Sequence, residues 1–233
     1  MGGSVMAVRL TVEALQTDLG VEPDGDFGRI STDALFARFT NKTAPAVASA
    51  EVAALGERWG VPVGHIEGVR KVEAPRGAFD RDDRPSILYE RHKFRDNCAP
   101  QGRFNASHPA LSGGSFGKGG YGPFKAQYGK LASACALDPH AAFAACSWGA
   151  FQVLGEHAKG LDYESPYAMA LALAESEGAH LDCFRRFVES RKLVDEFRAC
   201  RRGDPESCVP FVQRYNGAGF RAFDYHTKLA NAI

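Results

Sequence analysis

Apolar positions along this chain recur at helical spacing far more often than they alternate. Val12, Leu15 and Leu19 share one helical face. The turn PDGDFG follows, rich in residues that tolerate positive φ. A second helix is then predicted, capped by Ser31 or Thr32 and carrying Ala34, Leu35 and Phe39. Residues 41–49, NKTAPAVAS, are small and polar and read as a linker. EVAALGERWG predicts another helix, with Trp59 in the core. Ile66, Val69 and Val72 lay an apolar stripe on a short helix that opens at Pro62, where a missing N–H costs nothing, and stops before Pro75 and Gly77. The segments AFD, RDDRP and SILYE then read as a β-hairpin. Ile87 and Tyr89 point to one face, Leu88 and Glu90 to the other.

Residues 95–120 lack periodicity and are expected to form a long mobile loop lining a cleft. Their end, SGGSFGKGGYG, has no G-x-x-x-x-G-K-[ST] string and no preceding strand, so a nucleotide site is not expected. Helical signals resume at Pro123. Asp138, with Pro139 after it, caps a helix expected to run through DPHAAFAACSWGAFQVLGEHAKGL. From Ser165 the pattern stays helical to the end, with Leu181, Phe184 and Val188 on one stripe and a glycine-rich turn at YNGAGF. The expected fold class is mainly α with one small β-hairpin. A small helical module over residues 1–42 precedes a larger domain over 43–233.

The 233 residues are 45% hydrophobic, enough for one substantial core and a small appendage. With 28 basic and 28 acidic side chains the formal charge is zero, which argues against a generic nucleic-acid or membrane-surface binder. No membrane span is expected, because no run of about 18 apolar residues occurs. MGGSVM has neither a basic region nor an apolar core, so a secretory signal is not expected there. The cysteines at 98, 135, 146, 183, 200 and 208 form no C-x-x-C pair, and H-E-x-x-H is absent, so neither a metal nor a cofactor is expected. Cys135, Cys146 and Cys183 read as small core residues. Cys200 and Cys208 flank RRGDPES and are expected as thiols rather than a disulfide, since a chain without a signal is made in a reducing compartment.

Two acids carry candidate chemistry. Glu73 ends a largely buried helix, where apolar packing and the negative end of the helix dipole both disfavour its charged form. Such a carboxyl holds its proton near neutral pH and serves as a general acid. Acids at helix ends are also commonly just solvated. Glu90 sits on a strand and could equally serve as a second functional carboxylate or pair with a neighbouring cation to fix the hairpin.

Two resemblances bear on these choices. LQTDLG, DGDFG and the helix through ALFARF resemble the leading part of a peptidoglycan-binding repeat, which implies wall-binding roles for Asp24, Gly25, Phe27 and Gly28. The second Asp-Gly turn of that family is absent after Phe39, so support of the larger domain is the other reading. Further on, Glu73, then SWGAFQV, then RYNGAGF follow the order seen in the lysozyme superfamily, particularly goose-type lysozymes and lytic transglycosylases. ILYERHKF, YGPFKAQYGKL, ACSWGAFQVLGEHA and YNGAGF look like the N-acetylmuramidase domain of phage endolysins, over roughly residues 50–233.

This second resemblance implies an α+β lysozyme-like fold and an endolysin that hydrolyses the β-1,4 bond between N-acetylmuramic acid and N-acetylglucosamine. Glu73 would be the general acid, although VEAPRGAF departs from the usual Glu-Ser-x-Gly-x-Gly-Phe. Glu90 is the candidate second carboxylate, as base or electrostatic partner. Ser147, Gln152, Tyr215, Asn216 and Tyr121 would bind substrate, with Phe124 beside them. The implied partner is the glycan strand of peptidoglycan, and the chain is expected to be monomeric. It would be made in the bacterial host cytoplasm and act on the wall after a separate pore-forming protein opens the way. A lytic transglycosylase, giving 1,6-anhydromuramyl ends, is the alternative. A cysteine peptidase using Cys146 or Cys98 with His92 or His157 is the rival from another class. Its weakness is that apolar neighbours keep a thiol protonated.

Overall fold

The computed structural model describes residues 9–115 and 121–233. In chain order it contains helices α1 (Val12–Asp18), α2 (Arg29–Phe39), α3 (Ser49–Trp59) and α4 (Val63–Glu73), then strand β1 (Ile87–Tyr89). Helices α5 (Arg91–Asn97), α6 (Gln127–Cys135) and α7 (Pro139–Ala144) follow, then strands β2 (Cys146–Trp148) and β3 (Val153–Leu154). Helices α8 (Pro166–Glu175), α9 (Glu177–Ser190), α10 (Val194–Ala199), α11 (Pro205–Asn216) and α12 (Tyr225–Ala232) complete the chain. The fold is mainly helical with one small antiparallel sheet.

That sheet is not the expected hairpin. β1 pairs antiparallel with β2, from far along the chain, with Ile87 opposite Trp148 and Tyr89 opposite Cys146. The AFD segment meets Pro85 only in a single bridge at Phe79. The sheet order is β1-β2-β3. The helix expected to continue through SWGAF ends at Ala144, and a strand and a tight turn replace it. Ala141 to Phe151 are all buried, so the segment has no polar face from which a period could be read. The Asp138 cap forms as expected, with its carboxylate accepting from the Ala141 N–H at 3.0 Å.

The residues fall into two compact units. One gathers the described residues of 1–42, 87–148 and 154–174; the other gathers 43–86, 149–153 and 175–233. Within the first, the N-terminal helices do not stand apart. Phe39, fully buried, packs its ring against Phe143, Trp148, Tyr128 and Tyr167 at 5.7–6.4 Å between centres. Arg9 pairs with Asp138 at 2.7 Å, and the Tyr167 hydroxyl donates to Asp18 at 2.5 Å. Two short helices cannot bury enough surface alone, and here an aromatic core shared with later elements completes them.

Helix α2 starts at Arg29, with Gly28 as its N-cap, rather than at a Ser31 or Thr32 cap. Ser31 turns inward and accepts from the Gln16 amide at 3.2 Å. In the loop after α5, the stretch up to 115 carries its own packing. Phe104 stacks on Phe94 at 6.0 Å, and the Tyr89 hydroxyl donates to the Leu111 carbonyl at 2.9 Å. Residues 116–120, the centre of the glycine-rich string, lie outside the described residues.

In the second unit, Trp59 is buried edge-on to Phe184 and Phe197, with its indole N–H donating to Glu189 at 3.0 Å. Cys200 and Cys208 are buried free thiols. Their mutual hydrogen bond pulls the Cys208 thiol down and pushes the Cys200 thiol up.

Candidate active site

Glu73 is the last residue of α4. Ile66 and Val69 of the predicted stripe are buried, and this anchors the helix and fixes where its end emerges. The Glu73 residue keeps some exposure, but its carboxyl is enclosed by protein. It lines a cavity of about 10 Å³, walled by Val69, Val72, Phe211 and Leu229 with Tyr215, Tyr225 and Asn216 at its polar side. That volume is on the order of one water molecule. Burial pushes the Glu73 carboxyl up to about 7, opposed by a hydrogen bond from Asn216 and by the charge of Lys228. The Asn216 amide donates to Oε1 at 2.7 Å. Arg70 lies one turn back on α4. Its guanidinium is spent on both carboxylate oxygens of Glu177, at 2.8 Å each.

Tyr215 and Gln152 organise the turn at 149–153. Tyr215 donates its hydroxyl to the Phe151 carbonyl at 2.6 Å, while its ring packs on Phe211, Phe187 and Phe184. Gln152 adopts φ +47, and its amide donates to the carbonyls of Gly149 and Ser86 at 2.9 and 3.2 Å. The sequence reading missed His180. Its Nδ1 accepts from the Ala150 N–H at 3.0 Å, and its ring stacks on Phe79, in the loop after Glu73, at 5.1 Å. A histidine on the apolar stripe of α9 was the available signal. Gly149, at φ +70, leaves no room for a side chain, since a Cβ there would meet the His180 ring at 2.7 Å. Gly149→Ala is therefore expected to cost about 1–3 kcal/mol, from strain at positive φ plus the clash. Chemical denaturation would read this, and activity would fall in the fraction that stays folded.

Glu90, in the other unit, is buried. Its Oε1 accepts from the Ser147 hydroxyl at 3.1 Å, and Oε2 lies 3.6 Å from His92 Nε2. Tyr121 also hydrogen-bonds to it. Burial raises the Glu90 carboxyl above the usual range, against the Ser147 bond and the charge of Lys93, with Glu156 adding to the rise. Lys93 is held by Glu156 at 2.6 Å. Gln127, also missed, ties this region together. Its Oε1 accepts from the Tyr89 N–H at 2.9 Å, and its amide donates to the Tyr121 carbonyl at 2.8 Å. Phe124 opens the short turn before α6. Ser147 thus meets Glu90, and Asn216 meets Glu73.

The N-terminal motif residues are bound to one another. Asp24 Oδ1 accepts from the Gln16 amide at 2.8 Å and from the Asp26 N–H at 2.9 Å. The Gly25 N–H, on a φ of +77, donates to Gln16 Oε1 at 2.8 Å. Phe27 is buried, and Gly28 caps α2. Cys146 is fully buried and its thiol is pushed well above its usual range; burial also pushes Cys98 up to about 12. Neither is a nucleophile at neutral pH, so the peptidase alternative loses its reactive group. Among the described residues, no group of three or more His, Cys, Asp or Glu side chains is set to hold a metal ion.

The family model described as N-acetylmuramidase matches residues 62–233. No curated protein matches the chain. Among solved structures, the chain is similar to the endolysin of Burkholderia AP3 phage, with 29% identity and a TM-score of 0.68. That match covers 97% of this chain and 96% of the endolysin.

Proposed function

The chain belongs to the N-acetylmuramidase family, and on that premise we propose that it hydrolyses the β-1,4 bond between N-acetylmuramic acid and N-acetylglucosamine, with Glu73 as general acid. As a member of that family it is a peptidoglycan hydrolase with a lysozyme-like fold. The observation that carries the finer reading is the Glu73 carboxyl, pushed up to about 7 at the end of α4 and steadied by Asn216. Glycoside cleavage needs an acid that is still protonated when the leaving oxygen arrives. Glu90 acts here as an electrostatic and positioning partner for Ser147, since its oxygens are already engaged by Ser147, Tyr121 and His92. The N-terminal helices serve the larger domain as part of its core, with wall contact a secondary role. By its likeness to a phage endolysin, the enzyme would be made in the host cytoplasm and reach the wall through a separate pore-forming protein. Among the described residues no helix is long and apolar enough to cross a membrane.

Mass spectrometry of the sugars released from purified peptidoglycan tests the bond and the acceptor. Reducing N-acetylmuramic acid ends are expected, and 1,6-anhydro ends would mean that the muramyl 6-hydroxyl attacks instead of water. Activity should also fall as pH rises through about 7, when Glu73 loses its proton. The Asn216 N–H favours the carboxylate, so Asn216→Ala should move that alkaline limb to higher pH while lowering the plateau rate. A limb that stays in place in this variant would count against Glu73 as the titrating acid.

A further inference from the structure

His180 is buried on α9, a polar ring on a stripe that otherwise holds Leu181, Phe184, Phe187 and Val188. The ring meets two segments that lie far apart in the chain. One is the turn at 149–153, where the Ala150 N–H points at Nδ1 from 3.0 Å. The other is the loop after Glu73, where Phe79 stacks on the ring at 5.1 Å and 23°. Phe184, one turn further along α9, stacks on Phe151 of the same turn at 4.3 Å and 8°. The two segments are also joined directly, since the Gly149 N–H donates to the Ser86 carbonyl at 2.7 Å. A backbone N–H can only donate, so Nδ1 must offer a lone pair to Ala150. The His180 ring is therefore neutral, with its proton on Nε2. From the turn, a chain of contacts leads to the acid. The Phe151 carbonyl accepts from Tyr215, and Asn216, the next residue, donates to Glu73.

We propose that His180 is a positioning residue for the acid. As the Nε2–H tautomer it fixes the turn at 149–153, and through Tyr215 it fixes where Asn216 meets Glu73. The proposal rests on the reading of Glu73 given above. His180 does not line the Glu73 cavity, so it acts through the turn. Ala150 is buried, and without an acceptor at Nδ1 its N–H would have to find another partner. The turn would then shift and carry the Phe151 carbonyl with it. Tyr215 would follow or lose its bond, and the Asn216 amide would leave its place on the Glu73 carboxyl. An apolar ring of similar shape fills the same space but cannot accept this bond, which separates positioning from packing.

Nitrogen–proton correlation spectra of the histidine rings at neutral pH test the first step without any loss of fold. The His180 signals, identified by their absence in His180→Asn, should show a bare Nδ1 and a protonated Nε2. A proton on Nδ1 overturns the proposal. Two variants then divide the ring's contacts. His180→Phe keeps a ring against Phe79 and removes the acceptor, whereas His180→Asn sets Oδ1 near the place of Nδ1 and removes the stack. On soluble peptidoglycan fragments, His180→Phe should lower kcat about ten-fold with KM little changed, the scale of one buried hydrogen bond. Its alkaline limb should move to higher pH, as in Asn216→Ala, because a displaced Asn216 N–H no longer favours the Glu73 carboxylate. His180→Asn should recover most of kcat and bring the limb back. A packing role alone would lower the melting temperature and leave the limb where it is. A limb that moves in Asn216→Ala but not in His180→Phe therefore overturns the positioning role. A limb that moves in neither overturns the assignment of Glu73 instead, which separates the two failures.

Discussion

Glu73→Gln should lower wall lysis at least about 10²-fold, because the amide keeps the shape of the side chain but cannot donate the proton. Turbidity loss of purified cell walls reads this, and near-normal lysis would remove Glu73 from the chemistry. The same substitution should stabilise the fold at alkaline pH. The folded-state carboxyl titrates near 7, against about 4.3 in an unfolded chain. Between those values the unfolded chain releases a proton that the native one retains, so the wild type loses stability as pH climbs through 7. Thermal melting should show the Gln variant above wild type at pH 8, with the gap closing near pH 4. An inactive variant with that profile separates a lost acid from a damaged fold.

Phe39→Ala should be the most damaging change outside the Glu73 region. The ring is fully buried among four other aromatics, so its removal leaves a cavity. Truncations of this kind cost about 3–5 kcal/mol, and the melting temperature should drop by on the order of 10 °C. Ile30, on the same helix but 72% exposed, is the control, and Ile30→Ala should change little. If the first helices were a detachable module, Phe39→Ala would leave the melting of the rest unaffected. A single lowered transition is the expected result.

Much of this was legible where one face of an element meets solvent. Ile66 and Val69 of the Ile66, Val69 and Val72 stripe are buried, and the Asp138 cap forms as the pattern predicts. The position of Glu73 at a helix end was readable in the same way, from the residues that stop α4. The pattern failed where burial is uniform. Cys146 to Trp148 have no solvent-facing side, and their pairing with β1 is a contact between distant segments that local periodicity does not encode. The hairpin at SILYE failed for the same reason, since alternation shows that a strand exists but not which strand it joins. Asn216 was singled out by a motif, and its bond to Glu73 needed coordinates. His180 and Gln127 were missed because a buried polar residue on an apolar stripe carries no mark of its partner.

The knot that Gln16 ties around Asp24, Gly25 and Ser31 bears on how such strings are interpreted elsewhere. The Gln16 amide, Asp24 Oδ1 and the Gly25 N–H are committed to closing a bend. A Leu-Gln followed by Asp-Gly-x-Phe-Gly therefore announces a shape before it announces any appetite for glycans. Genomes scanned for wall affinity with that string alone would collect scaffolds along with adhesins.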